Sequence, residues 1–369
     1  MVCVDASRLN ADGRGMFRPL LTSLLFIAFI VRAEPVRVVA IADPPAKQPQ
    51  LAIAPDGGFH VVFGGGNAIF HTASRDGRTF SMPVKVGELE KLALGMRRGP
   101  RITATEKVLA VTAISHADGM LHEWISSDGG ATWKTQTPLN ESPSSAREGL
   151  HAMAGNGRGL VAVAWLDLRN KGTEIWSRVS RDGGLTWQRE TRVYASPDGH
   201  VCECCHPSVA IGPHDEIGVM WRNWLGGSRD LWMATSTDGG ATFRDAEKMG
   251  DGTWKLNGCP MDGGALAFSA NGKPLTIGRR EKTIFFAESA GRETVLTRNG
   301  SQPVLAGTSL LWEENGGLTL KRETGLATRF AESAAFAATA LTADGTPVIV
   351  WESRDSPGTI FLEKLLPSR

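Results

Sequence analysis

A phrase of eight residues returns along this chain at nearly constant spacing, and it limits the possible folds more than any other feature. Ser126-Ser127-Asp128-Gly129-Gly130-Ala131-Thr132-Trp133 recurs as Ser180-Arg181-Asp182-Gly183-Gly184-Leu185-Thr186-Trp187 and as Ser236-Thr237-Asp238-Gly239-Gly240-Ala241-Thr242-Phe243. A copy one residue shorter runs Ser74-Arg75-Asp76-Gly77-Arg78-Thr79-Phe80. The aspartates Asp76, Asp128, Asp182 and Asp238 stand 52, 54 and 56 residues apart, which is the mark of one supersecondary unit repeated. Each copy has the chemistry of a tight hairpin turn. The carboxylate can accept hydrogen bonds from N–H groups of its own turn, the glycines supply positive φ, and the aromatic residue opens the next strand.

The composition is that of an ordinary globular protein with room for a large core: 369 residues, 41% hydrophobic, 21% charged, formal net charge +1. Near-neutral charge gives no reason to expect nucleic acid or an anionic membrane as partner. Residues 20–31 form a short apolar run preceded by Arg14 and Arg18, and Val31-Arg32-Ala33 offers small residues where a signal peptidase reads. A run of this length is short for a bilayer span and fits a signal peptide. Residues 1–33 are therefore expected to be a leader cleaved after Ala33. Residues 34–369 would form a secreted or periplasmic monomer with no membrane span.

The repeated phrase resembles the Asp-box (BNR) repeat of sialidases and related β-propellers, and the resemblance implies a propeller. A second repeat marks the start of each unit: Pro49-Gln50-Leu51-Ala52, Pro100-Arg101-Ile102-Thr103, His151-Ala152-Met153-Ala154 and Pro207-Ser208-Val209-Ala210. It continues as Gly264-Ala265-Leu266-Ala267, Pro303-Val304-Leu305-Ala306 and Ala334-Ala335-Phe336-Ala337. Short β-branched or aromatic runs follow each one, so the chain reads as all-β. Seven units are counted. The sixth, roughly 302–331, is compressed around Gly316-Gly317, and six blades result if it is only a decorated loop. The seventh has three strands, and Val36 to Ala42 is expected to supply its fourth and close the ring, protecting exposed sheet edges.

In a propeller the Asp-box turns share one face. Links between second and third strands, and between blades, lie on the other. Here those links are charged: Ser115-His116-Ala117-Asp118, Asp167-Leu168-Arg169-Asn170, Arg222-Asn223-Trp224, Arg279-Arg280-Glu281, Glu313-Glu314 and Glu352-Ser353-Arg354-Asp355. Arg97, Arg98, Arg101, Arg147, Glu148 and His151 add to them from the between-blade links. Loops on a rigid scaffold are where sites sit, although solvated loops are charged in any case. Arg222, directly after a strand-ending Trp, is expected to point to the channel mouth.

The sharpest chemical signal is His200-Val201-Cys202-Glu203-Cys204-Cys205-His206-Pro207, with a counterpart at Gly258-Cys259-Pro260-Met261-Asp262. Both are between-blade links on one face of adjacent blades, so Cys259 should meet at least one of Cys202, Cys204 and Cys205. Four cysteines in an exported chain suggest disulfides. Three thiols within four residues pair poorly among themselves. The cluster therefore reads either as a disulfide staple, or as a soft-metal site for Cu or Zn built from Cys202, Cys204, Cys205, Cys259 and His206, or as a redox pair.

The resemblance to sialidases covers nearly all of residues 34–369. It implies a glycan ligand, a ring of six blades, a Tyr nucleophile paired with Glu, an Asp acid/base, and three arginines gripping a substrate carboxylate bidentately. Pro100-Arg101-Ile102 echoes the family's Arg-Ile-Pro motif. Arg101, Arg169, Arg222, Asn223, Arg279 and Arg280 are the expected substrate-binding residues, and Glu148, His151, Asp167 and Glu352 the catalytic candidates. The chain departs from the pattern at the nucleophile, because Tyr194 is its single tyrosine and lies mid-chain. Two readings stand: an exported glycoside hydrolase acting on an acidic or neutral glycan, or a non-catalytic propeller binding a glycan, another small molecule, a protein or a metal.

Overall fold

In the computed structural model, residues 34–365 are described apart from 289, 290 and 324, so the leader expectation for residues 1–33 lies outside the described residues. Seven antiparallel sheets of four strands each are present, and no helix forms among the described residues. The first strands of neighbouring sheets contact one another in a closed cycle, so they ring a central channel with later strands stacked outward. The count of seven holds. The compressed sixth unit is a complete blade, with strands Ser301–Ala306, Ser309–Glu314, Gly317–Lys321 and Thr328–Ala331. Its tightness rests on Gly317, where a Cβ would lie 2.1 Å from the Ala331 carbonyl oxygen.

The ring closes as its strand arithmetic demands. Val36–Ala40 pairs antiparallel with Thr359–Lys364 as the outer strand of the seventh sheet. The second strands are apolar along their length because both faces of each sheet are covered by a neighbouring blade. Val161–Asp167 is buried at every position. Leu166, Ile175 and Val179 of the third blade join Ile217, Val219 and Trp221 of the fourth in one cluster. The fully buried indoles of Trp165, Trp221 and Trp312 anchor the interfaces of blades two and three, three and four, and five and six, each removing about 150–250 Å² from water.

The Asp-boxes are self-contained turns. Asp128 Oδ1 accepts from Thr132 N (2.9 Å) and Ser126 Oγ (2.7 Å), while Oδ2 accepts from Thr132 Oγ1 (2.6 Å). Asp182 and Asp238 repeat these contacts with Ser180 and Thr186 and with Ser236 and Thr242. In the short copy, Asp76 accepts from Arg78 N and Thr79 N. The serine hydroxyls in turn receive Gly77, Gly130, Gly184 and Gly240 N–H groups. The aspartate carboxylate and the serine hydroxyl of each copy are thereby used within the phrase, which explains its recurrence.

The two ends of the channel differ. On the Asp-box face a cavity of about 980 Å³ opens between the first-to-second strand turns, walled by apolar first-strand residues such as Leu51, Ile102, Met153 and Leu266. At the other end the channel is filled by buried charged and amide side chains.

Candidate functional site

Asp262 organises the filled end. It is fully buried in the link before the fifth blade, and its carboxylate accepts from Arg279 Nε (2.8 Å), Gln302 N (2.9 Å) and Gly264 N (3.2 Å). Burial pushes this carboxyl up, but the Arg279 and Arg222 guanidiniums outweigh it and hold it below the usual range. Arg97, also buried, donates to the Gln302 side chain (2.8 Å), the Gln302 carbonyl (2.9 Å) and the Ala337 carbonyl (2.6 Å). Arg101 donates only to the carbonyls of Gly99, Pro100 and Arg97. Desolvation, then repulsion from Arg97, brings its pKa down to about 9.

The remaining arginines are also spent internally. Arg222 does not reach the channel mouth. It is buried at the seam of blades four and five, donating to the carbonyls of Asp262, Arg229 and Arg279. Arg279 and Arg280 end the strand Pro274–Arg280, because the link beyond them is a tight turn through Glu281 at φ 53°. Arg280 forms a two-pronged ion pair with Glu293 and lies 3.7 Å over Phe285. Arg169 forks onto Asp167 (2.9 and 2.8 Å), reaches Glu190 (2.5 Å) and stacks on Trp176.

The four catalytic candidates have different surroundings. Asp167 is buried and accepts from Trp165 Nε1 (2.7 Å) as well as from Arg169; these bonds outweigh burial and lower its pKa. His151 is buried with Nε2 3.0 Å from Thr112 Oγ1, and desolvation keeps it neutral. Burial raises Glu148, with Arg98 and Arg147 opposing. Burial also raises Glu352, whose Oε1 accepts from Gln48 N at 2.6 Å. Asn223 donates to the Tyr194 hydroxyl (2.8 Å), and the Tyr194 ring packs against Trp221.

Backbone geometry singles out Gln48, Gln302 and Phe336, which the charged-loop pattern did not, alongside Arg97, which it did. Gln48, Arg97, Gln302 and Phe336 all have positive φ (55°, 65°, 49° and 51°) where the chain leads into or runs along a first strand at the filled end. At three of them the ladder to the second strand slips register. The slips release the Gln302 and Ala337 carbonyls from their ladders, and Arg97 collects both. Gln48 and Gln302 had a readable sign, a Gln-Pro pair directly before the apolar-small phrase of units one and six.

The cysteine links meet as expected. Cys204 and Cys259 form a disulfide across the two links flanking blade four, with Cα atoms 6.2 Å apart. Cys202 and Cys205 remain as buried thiols with Sγ atoms 2.9 Å apart. Arg229 Nη1 lies 3.1 Å from Cys202 Sγ, and its guanidinium stacks on Trp224. The contact with Cys205, opposed by burial and aided by Arg229 and Arg222, brings the Cys202 thiol down to about 7. Burial pushes Cys205 up. His206 is not a free ligand. Its Nε2 lies 3.0 Å from the Gly264 carbonyl oxygen and its Nδ1 accepts from Gly263 N, and desolvation brings its pKa down to about 3.

Residues 108–291 match the family model described as BNR repeat-like domain, a span that contains the Asp128, Asp182 and Asp238 turns. The chain is a BNR-repeat β-propeller. No curated protein sequence matches this BNR propeller. Among solved structures it resembles a leech intramolecular trans-sialidase complexed with 2,7-anhydro-Neu5Ac (TM-score 0.54, 11% identity, 91% of this chain and 70% of that one). It also resembles an α-L-arabinofuranosidase from Fusarium graminearum in complex with an iminosugar inhibitor (0.52, 11%, 90% and 98%). A third is a lectin from Aleuria aurantia in complex with Fucα1-6GlcNAc (0.52, 10%, 87% and 93%). At these identities the likeness is one of fold. No helix among the described residues is long and apolar enough to cross a membrane.

Proposed function

We propose that this BNR propeller is exported and, as a monomer, binds a neutral glycan on the face carrying the second-to-third and between-blade links. The observation that carries the reading is the arc of left-handed backbone at Gln48, Arg97, Gln302 and Phe336, in blades one, six and seven and the link into blade two, at one end of the channel. Each such residue costs about 1–3 kcal/mol, and strain of this kind gathers at ligand-clamping positions. The three structural relatives described above support the ligand class, since their names or complexes all concern sugars. The occupied arginines favour a neutral sugar over an acidic one. A ligand carboxylate needs a free guanidinium fork, and those of Arg97, Arg101, Arg222 and Arg279 are already occupied by carbonyls, the Gln302 amide and Asp262.

A hydrolytic reading has one observation in its favour. Glu352 is a carboxyl raised by burial at this end of the channel, which is the property of a general acid. Both readings are tested on the full chain recovered from the exported fraction, with N-terminal sequencing expected to begin at Glu34. Saturable binding to neutral glycans on an array, undiminished in Tyr194→Phe, supports the proposal. Binding confined to sialylated glycans, or none at millimolar concentration, refutes it. Turnover of a neutral aryl glycoside that disappears in Glu352→Gln would make the protein a hydrolase.

A further inference from the structure

The disulfide sorts the sulfurs of the cluster. Cys204 is drawn outward to Cys259, which is solvent-exposed, while Cys202 and Cys205 are left one layer beneath as a C-x-x-C pair facing each other at 2.9 Å. Their backbone is fixed: Val201 N donates to the Thr173 carbonyl and Cys202 N to the Arg222 carbonyl, both at 2.9 Å. The pair is thus held by blades three and four and is not part of a loose loop. Glycan binding on the strained end of the channel gives these two thiols no role.

The donor count decides what they could hold. A structural zinc site needs four ligands, and this cluster offers two. Cys204 and Cys259 are bonded to each other, and both ring nitrogens of His206 are engaged by Gly263 and Gly264. Two soft thiolates without hard donors select a monovalent soft ion, Cu(I) before any other common metal. The charge balance agrees. Two thiolates and one Cu(I) carry a net negative charge, and the Arg229 guanidinium sits 3.1 Å from Cys202 Sγ, placed there by Trp224 and by its bond to the Leu256 carbonyl. Metal–sulfur bonds of about 2.3 Å require the two sulfurs to part from their 2.9 Å separation on binding.

We propose that Cys202 and Cys205 form a Cu(I) dithiolate site, with Arg229 as its charge-compensating neighbour and the Cys204–Cys259 disulfide as its fixed rim. Binding replaces two thiol protons by one cation and releases both protons to solvent, with no change in oxidation state. The set of possible ligands offered by the sequence narrows accordingly, from four cysteines and a histidine to two cysteines.

The test uses the exported chain from Glu34 onward, which lacks Cys3, handled anaerobically with ascorbate, which keeps copper reduced and leaves disulfides intact. Thiol titration in denaturant after metal removal should find two free cysteines. Titration against the coloured Cu(I)–bicinchoninate complex should withdraw one copper per chain. Peptide mapping should then show Cys202 and Cys205 protected from alkylation, a readout that needs no variant. Cys202→Ser and Cys205→Ser should each abolish the withdrawal, and Arg229→Met should weaken affinity by about 10–100-fold, as loss of an outer partner does. The Cys204→Ser/Cys259→Ser double variant should still take up one copper. No free thiols, or two free thiols that leave equimolar Cu(I) with the chelator, would overturn the proposal. So would stoichiometric uptake of Zn(II) through all four cysteines.

Discussion

Removing the Asp262 side chain is expected to destabilise the propeller without acting through the ligand. Its carboxylate is fully buried and is shared by Arg279 Nε, Gln302 N and Gly264 N, which come from three separate parts of the chain. Asp262→Ala leaves a guanidinium without its counter-ion and two N–H groups without acceptors. Breaking one side of a buried pair costs about 3–5 kcal/mol. The low end applies here, because Arg279 keeps its bonds to the Pro260 and Glu281 carbonyls and is partly solvated. Asp262→Asn keeps the shape and one acceptor oxygen, and should cost about 1–3 kcal/mol. Guanidinium unfolding at pH 7, followed by circular dichroism with disulfides intact, should show a lower midpoint at unchanged slope. The pH dependence fixes the sign. The folded carboxyl titrates below its unfolded value, so its contribution is complete above the ordinary aspartate range and is lost as pH falls through the folded pKa. The gap between wild type and Asp262→Asn should therefore narrow at pH 3. An alanine variant as stable as wild type but unable to bind glycan would refute this reasoning and return the buried arginines to the ligand.

Four further outcomes are expected. Cys204→Ser/Cys259→Ser opens a loop of 55 residues and should lower stability by about 4 kcal/mol, measured by denaturant unfolding. His71, whose pKa burial and then His60 bring down to about 4, is neutral in the fold; stability should decline as pH falls from 6.5 towards 4, visible as a falling Tm that His71→Gln flattens. Burial raises Glu123 to about 8, so its contribution is complete below the ordinary glutamate range and is lost as pH rises through 8; Glu123→Gln should remove that alkaline loss in Tm between pH 6 and pH 9. Asp128→Ala should lower Tm while leaving glycan affinity of the folded protein unchanged, and an affinity loss at constant Tm would contradict the structural role of the Asp-box.

The parts of this molecule that were legible in its sequence are those whose partners lie nearby in the chain. An Asp-box satisfies itself within the turn from Ser126 to Thr132, so its chemistry is written in one phrase. Blade closure was legible for a related reason: three strands after Ala334 demand a fourth, and Val36–Ala40 was the unassigned strand. The charged face was less legible because several of its partners are backbone groups distant in the chain. A sequence displays Arg222, but not the carbonyls of Asp262, Arg229 and Arg279 that consume its guanidinium. Likewise His206 stands beside three cysteines in the chain, yet its ring is turned onto Gly263 and Gly264 by the link into blade five. Cysteine is the intermediate case. Adjacency of the two links could be argued from topology, and the geometry then chose Cys204 for Cys259 and left Cys202 and Cys205 facing each other. That choice carries the chemistry: had Cys202 been the bridging residue, Arg229 would stand beside a disulfide, and no thiol pair would have a guanidinium to balance it.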